Sequence, residues 1–257
     1  VCAPSRCVLM TGRHPGHAWI RNNGEVKPEG QRPIPDSEIT IGEVLKDAGY
    51  ATGAFGNWGL GSPGSEGDPV HQGFDRFFGY NCQRHAHSYY PSYLWSNKKR
   101  IALKNNPPVP GHASLPDGAD PANPRSYDIF KGQDYAPDRI NEQALDFIRK
   151  NKDRPFFLYL AHWAPHTPLQ ATREDYAALS HIENHRERVY AAMIRSLDRG
   201  VGQVLDALSR HGLDENTLVL FTSDNGGPSG RSVSGASANN WPRKIVILSR
   251  FACCPSR

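Results

Sequence analysis

The chain has 257 residues, of which 22% are charged and 10% aromatic, and a net charge of +4. That is an ordinary globular composition, long enough for a sizeable core in one large domain or two small ones. No basic cluster or basic-aromatic platform points to nucleic acid, and no stretch approaches the roughly 18 apolar residues that span a bilayer. A weakly positive field is compatible with an anionic substrate. The cysteines (Cys2, Cys7, Cys82, Cys253 and Cys254) are too few and too uneven for a disulfide framework, and none has the His spacing of a zinc site. No secretory leader is visible. The chain opens without Met, inside its first motif, which predicts residues upstream.

That motif runs Cys2-Ala3-Pro4-Ser5-Arg6-Cys7-Val8-Leu9-Met10-Thr11-Gly12-Arg13. Pro4 fits a first helical turn, where its missing N–H costs nothing. Val8, Leu9 and Met10 are then expected to bury one side of the helix. Cys2 falls at the helix N-terminus, where unpaired N–H groups and the dipole favour an anion. Arg6 lies one turn further on and can reach back towards it. Residues 14–39 are rich in Gly, Pro, Asn and charge and read as loop.

Thr40 and Glu43 form a capping-box pattern and Gly49 suits the C-terminal end, so a helix is predicted between them with Ile41, Val44, Leu45 and Ala48 as its apolar stripe. Tyr50–Phe55 follows as a short strand. Residues 61–135 show little periodicity and are expected to be functional loops over a scaffold. Within them, Gly73–Tyr80 reads as a turn with packing aromatics. His85, His87, Tyr89, Tyr90, Tyr93 and Trp95 form a cluster that either stacks on a sugar or packs against itself. Pro137–Lys152 is predicted helical, with Ile140, Ala144, Phe147 and Ile148 inward, and Pro155–Ala161 is a buried strand. His166 lies just beyond that strand, where open α/β sheets place ligands, while His162, closer in, reads as structural. Arg186–Ser209 is the longest predicted helix, its core stripe formed by Val189, Met193, Leu197, Val201, Val204, Leu205 and Leu208. Thr217–Thr222 is a strand ending in Ser223-Asp224-Asn225-Gly226-Gly227. Asp224 and Asn225 offer hard oxygen ligands for calcium or magnesium, or an Asx turn. Residues 228–257 change character: they hold one apolar run, Ile245–Leu248, and end in a chance repeat of the opening Cys-x-Pro-Ser-Arg order.

Four of these segments, in order, resemble the signatures of the sulfatase family: Cys2–Arg13, Gly49–Leu60, Ala164–Pro168 and Thr222–Gly227. The resemblance implies an alkaline-phosphatase-like α/β fold, a mixed β-sheet sandwiched between helices. It divides the chain into a partial N-terminal catalytic domain over 1–227 and a divergent tail over 228–257. It implies hydrolysis of aryl or carbohydrate sulfate esters, with Cys2 oxidised to formylglycine by a formylglycine-generating enzyme. The hydrated aldehyde attacks sulfur, Arg6 fixes it, and His166 contacts the sulfate near the leaving oxygen. Asp224, Asn225 and modified Cys2 bind calcium or magnesium, joined in the family by two Asp residues upstream of the Cys that are absent here. Export to the periplasm or outside the cell is the family habit. Two departures stand out. Asn57 occupies the place of a sulfate-binding Lys, and Gly59 the place of a His found in many members. The expectation is therefore a family of sulfatases and a chain of reduced activity. The alternatives are a phosphoric or phosphonic monoester hydrolase of the same superfamily, or an inactive remnant that binds sulfated glycans.

Overall fold

The computed structural model describes residues 2–27, 29–106, 109, 117–120, 123–225 and 243–250. Gly226, Gly227, Cys253 and Cys254 lie outside them, as does the side chain of Asn225. The helices are α1 (Cys2–Thr11), α2 (Ile41–Asp47), α3 (Ala136–Asn151), α4 (Arg173–Ala177) and α5 (His185–Arg210). The strands are β1 (Ala51–Asn57), β2 (Arg76–Tyr80), β3 (Tyr93–Ser96), β4 (Lys99–Ala102), β5 (Phe156–Ala161), β6 (Thr217–Asn225) and β7 (Arg243–Arg250). They form one mixed sheet of order β4-β3-β2-β1-β5-β7-β6.

β1 pairs in parallel with both β2 and β5, whereas β7 lies antiparallel between β5 and β6. Two reversals leave β6 running in the same direction as β1, β2 and β5. The C-terminal ends of all four strands, and the motifs that follow them, therefore meet at one edge of the sheet. The apolar run in the tail forms the middle of β7 and is an interior strand by its pairing.

Alternation along the central strands divides the core. Phe55, Phe78, Leu158 and Leu160 face one side, where they pack with Ile140, Ala144 and Phe147 of α3 and Met193 and Leu197 of α5. Ala54, Phe77, Phe157 and Tyr159 face the other, with Ala3, Cys7 and Met10 of α1. This is the predicted sandwich: period 2 in the strands meets period 3.6 in the helices on both faces.

Three expectations need correction. The stripe assigned to α2 is not its buried face, since Ile41 and Val44 are exposed. The helix instead rests on Gly42, where a Cβ would stand 2.7 Å from the Gln72 carbonyl and 2.9 Å from the Phe74 ring. The capping box itself forms as read: Thr40 accepts from the Glu43 N–H, and Glu43 accepts from the Thr40 N–H. Residues 61–135 are not loops alone, because they contain β2, β3 and β4. Gly73–Tyr80 feeds a strand with Phe77 and Tyr80 fully buried. In α5, Leu205 leaves the core stripe and is exposed.

Close approach of β1 and β5 depends on Gly56, whose φ is +108° and whose Cβ would lie 2.1 Å from the Ala161 carbonyl oxygen. Gly56→Ala is expected to cost more than about 2 kcal/mol of stability, read from the urea midpoint. His162, just past β5, is buried against Gly200, and its Nε2 has no hydrogen-bond partner among the described residues. Burial pushes its pKa down to about 4. The unfolded chain, with an ordinary His pKa of about 6.5, binds this proton where the folded chain does not. Stability from this group is therefore complete above about pH 6.5 and falls by up to about 3 kcal/mol as pH drops towards 4. A His162→Gln variant should lose this component of the pH dependence in thermal melts between pH 7 and pH 4.5.

Candidate active site

Helix α1 begins at Cys2, and both Cys2 and Arg6 are buried. The first N–H groups of a helix have no partner within it and need partners from elsewhere. The Ala3 N–H finds them in Asn23 Oδ1 at 3.1 Å and in Gln83, whose Oε1 lies 2.9 Å away. With its amide oriented to satisfy both ends, Gln83 also accepts from Arg6 Nη1 at 3.0 Å and donates to Asn23 Oδ1 at 3.2 Å. The Gln83 N–H in turn donates to Gln31 Oε1 at 3.0 Å. Neither Asn23 nor Gln83 carries a sequence signal for this work. Each lies in an irregular segment, and only the tertiary fold brings them to the start of α1.

Arg6 is held on a second side by Asp224, with Nη2 3.7 Å from the carboxylate and both side chains nearly inaccessible, at 5% and 6%. Asp224 reaches it because the β6–β7 pairing skips a residue there: Ser223 faces Lys244 and Asn225 faces Arg243. Such a bulge leaves its extra residue unpaired and free to be re-aimed. Gly59 provides space for the guanidinium, since a Cβ there would be 2.9 Å from Nη1. The Tyr159 hydroxyl is buried nearby. Burial pushes its pKa up and the Arg6 charge opposes that shift.

Several buried polar atoms at this end of the sheet have no hydrogen-bond partner among the described residues. They are Arg6 Nε, Asn57 Oδ1 and both amide atoms of Asn81. Buried polar atoms are nearly always satisfied by protein, water or ligand, so their grouping here marks a place built to receive a polar group.

His166 sits beyond β5 as expected. Its ring is 4.8 Å from that of His87, and its carbonyl accepts from the Tyr89 hydroxyl at 2.9 Å. The Thr167 carbonyl contacts Nδ1 of the same ring. The structure thus brings Arg6 and Asp224 into contact and places Cys2 one turn before Arg6. Asn57 is buried at the end of β1.

The residues also allow a test of the implied cation. Asp224 offers one carboxylate, already facing the Arg6 cation, and among the described residues no group of three or more His, Cys, Asp or Glu side chains converges. A hard divalent cation takes six or more oxygen ligands, and the described side chains do not make up that set.

The aromatic cluster divides: His87, Tyr89 and Tyr90 pack with His166, Tyr135 and Trp163, while His85, Tyr93 and Trp95 gather around Glu29. Glu29 accepts from the Trp95 indole at 2.9 Å, from Arg100 at 3.2 Å and from the Tyr93 hydroxyl, and lies 3.1 Å from His85 Nδ1. Burial alone would push its pKa up, but His85, Trp95 and Tyr93 hold it down at about 2, so Glu29 is a carboxylate at any physiological pH.

The structure is thus an α/β sandwich with an arginine-centred polar site at the ends of its parallel strands. The sequence model of the Sulfatase family matches residues 1–245, and the chain belongs to that family. It is 31% identical over 244 residues to arylsulfatase J of Mus musculus, covering 94% of this chain and 37% of the relative. It is 34% identical over 244 residues to the N-acetylgalactosamine-6-sulfatase of Rattus norvegicus, covering 88% and 41%. The crystal structure of Ps i-CgsB superposes with a TM-score of 0.69 at 28% identity, covering 97% of this chain and 55% of that one. The fold is accordingly the alkaline-phosphatase-like one. The chain spans well under two thirds of each of these three proteins.

The buried ion pair generates a prediction. Arg6→Met strands a buried carboxylate and is expected to destabilise by about 3–5 kcal/mol, with the double change Arg6→Met/Asp224→Leu recovering part of the loss. A double-mutant cycle in urea measures this. A loss in the double variant equal to the sum of the two single losses would show that the pair is not coupled.

Proposed function

We propose that the complete protein hydrolyses sulfate esters, with carbohydrate sulfates favoured over simple aryl esters, and that this chain carries the sulfate-binding part of its site. The observation that supports this most is Arg6, buried one turn from Cys2 and fixed by both Gln83 and Asp224. An arginine held this rigidly loses little freedom when it accepts an anion, which is how a preorganised site stabilises developing charge. The solved structure of Ps i-CgsB with k-i-k-neocarrahexaose, 26% identical to this chain, supports a carbohydrate substrate by likeness.

Cys2 is the residue to be converted to formylglycine, which supplies the hydroxyl nucleophile that a thiol cannot replace when sulfate must later be expelled. Arg6 orients that group and offsets charge on the ester. His166 assists protonation of the leaving oxygen. Asn57 donates neutral hydrogen bonds where a lysine would add a charge, and a charge-assisted bond is worth about 1.5–3 kcal/mol. Asp224 and Asn225 are proposed as part of a calcium or magnesium set that needs further ligands beyond the described side chains. Maturation requires a formylglycine-generating enzyme, and export is the proposed location. Asn57 and the incomplete cation set also support a second reading, in which this chain binds sulfated glycans without turnover.

Co-expression with a formylglycine-generating enzyme tests the reading. The peptide Val1–Arg6 is expected to show the mass of the aldehyde at Cys2, and Asn57→Lys is expected to raise aryl sulfate turnover by roughly tenfold or more, with paired aryl phosphates poorer substrates. An unmodified thiol, with a control substrate converted, would reject the hydrolytic mechanism for this chain and leave the binding reading.

A further inference from the structure

Beside the Arg6 site lies a cleft of about 540 Å³, formed between the loop at residues 25–30 and the turn at 82–85. The two sites share a wall. Cys82 and Arg84 line the cleft, and the residue between them, Gln83, bonds to Arg6. Gly30 also lines it and accepts from Cys82 Sγ at 3.2 Å, while its neighbour Gln31 accepts from the Gln83 N–H. A group in the cleft is therefore separated from the Arg6 site by one loop strand.

The chemistry of the cleft is cationic rather than aromatic. Tyr93 cannot offer a ring face to a sugar, because His85 packs at 4.4 Å and the Arg100 guanidinium lies over it at 4.6 Å. Arg100 also covers Trp95 at 5.0 Å. What faces solvent is charge: Lys27 is exposed, the Arg84 side chain is 79% accessible and that of Arg100 is 57% accessible. Against these three cations stand two carboxylates. Glu29 is engaged by His85, Tyr93, Trp95 and Arg100 and acts as the anchor of the wall. Glu25 meets Arg84 at 3.4 Å on the open surface, a kind of pair that contributes little and yields readily to a stronger anion. Arginine on a fixed aromatic backing, with a lysine nearby, suits a carboxylate or sulfate held by paired N–H groups.

We propose that this cleft binds a second anionic group of the substrate, a carboxylate or sulfate on the sugar adjoining the one whose ester reaches Arg6. The inference rests on the sulfate-ester reading above and narrows its substrate class to polyanionic oligosaccharides.

The test is calorimetric binding to the full chain at low salt with three probes: N-acetylgalactosamine 6-sulfate, the uronate-containing chondroitin 6-sulfate disaccharide, and the same disaccharide without sulfate. The double variant Lys27→Gln/Arg84→Gln changes only exposed side chains, and its thermal midpoint checks that it folds. The sulfated disaccharide should bind the parent chain more tightly than the monosaccharide. The variant should weaken both disaccharides about tenfold, in line with the loss of charge-assisted contacts, and leave the monosaccharide unchanged. Sulfate-dependent binding that ignores Lys27 and Arg84, or an equal loss for all three probes, would overturn the proposal, as would no binding of any probe. Equal affinity for the sulfated and unsulfated disaccharides, still dependent on Lys27 and Arg84, would keep the cleft and count instead against sulfate binding at Arg6.

Discussion

The contact between Arg6 and Asp224 joins the first motif of the sequence to the last, more than two hundred positions away. Burying two charges is expensive, and a well-packed apolar pair would often be at least as stable. The pair therefore argues for a site more than for stability. It fixes the N-terminal turn of α1 against the end of β6, so that Cys2, one turn away, and the turn carrying Gln83 are arranged around one guanidinium. The bulge at Asp224 and the bare backbone of Gly59 are local departures from regular structure that make room for it.

The sheet makes this convergence possible. Because β1, β2, β5 and β6 all run the same way, the segments that follow them share one edge, the edge at which open α/β sheets bind ligands. The strand β7 preserves that direction rather than breaking it, since it lies between β5 and β6 in the sheet and is antiparallel to both. Glycine does the complementary work at close approaches. At Gly56 the backbone of β1 lies so near the Ala161 carbonyl that any side chain would collide.

What could be read from the sequence follows from which interactions are local. The capping box of α2, the apolar faces of α3 and α5 and the continuous run of β5 are recorded within a few residues, and the structure has them. Cys2, Arg6 and Asp224 were singled out because their motifs are long and ordered, and the structure sets Arg6 against Asp224. The strands β2 to β4 were not legible, because each is only four or five residues long and β4, Lys-Arg-Ile-Ala, is exposed throughout and shows no apolar alternation. The false stripe in α2 has the same origin: hydrophobic spacing marks a possible face, but contact with Gln72 and Phe74 selects Gly42 instead. Asn23, Gln83 and Glu29 act wholly through tertiary contacts, and no spacing rule would single them out.

The charge balance of the two neighbouring sites bears on how substrate is held. Arg6 and Asp224 cancel, and Asn57 brings no charge, so these three residues present polar groups without surplus positive charge to an incoming sulfate. The adjoining cleft has the opposite arrangement, with three cations over two carboxylates, one of which is occupied in holding the wall. On the proposed reading, attraction between a polyanionic substrate and this surface is concentrated away from the ester. Binding energy from a remote part of a substrate can be used to position and desolvate the reacting part. A site with a neutral amide in place of a lysine gains most from such remote contacts, because its own hold on the ester is the weaker of the two.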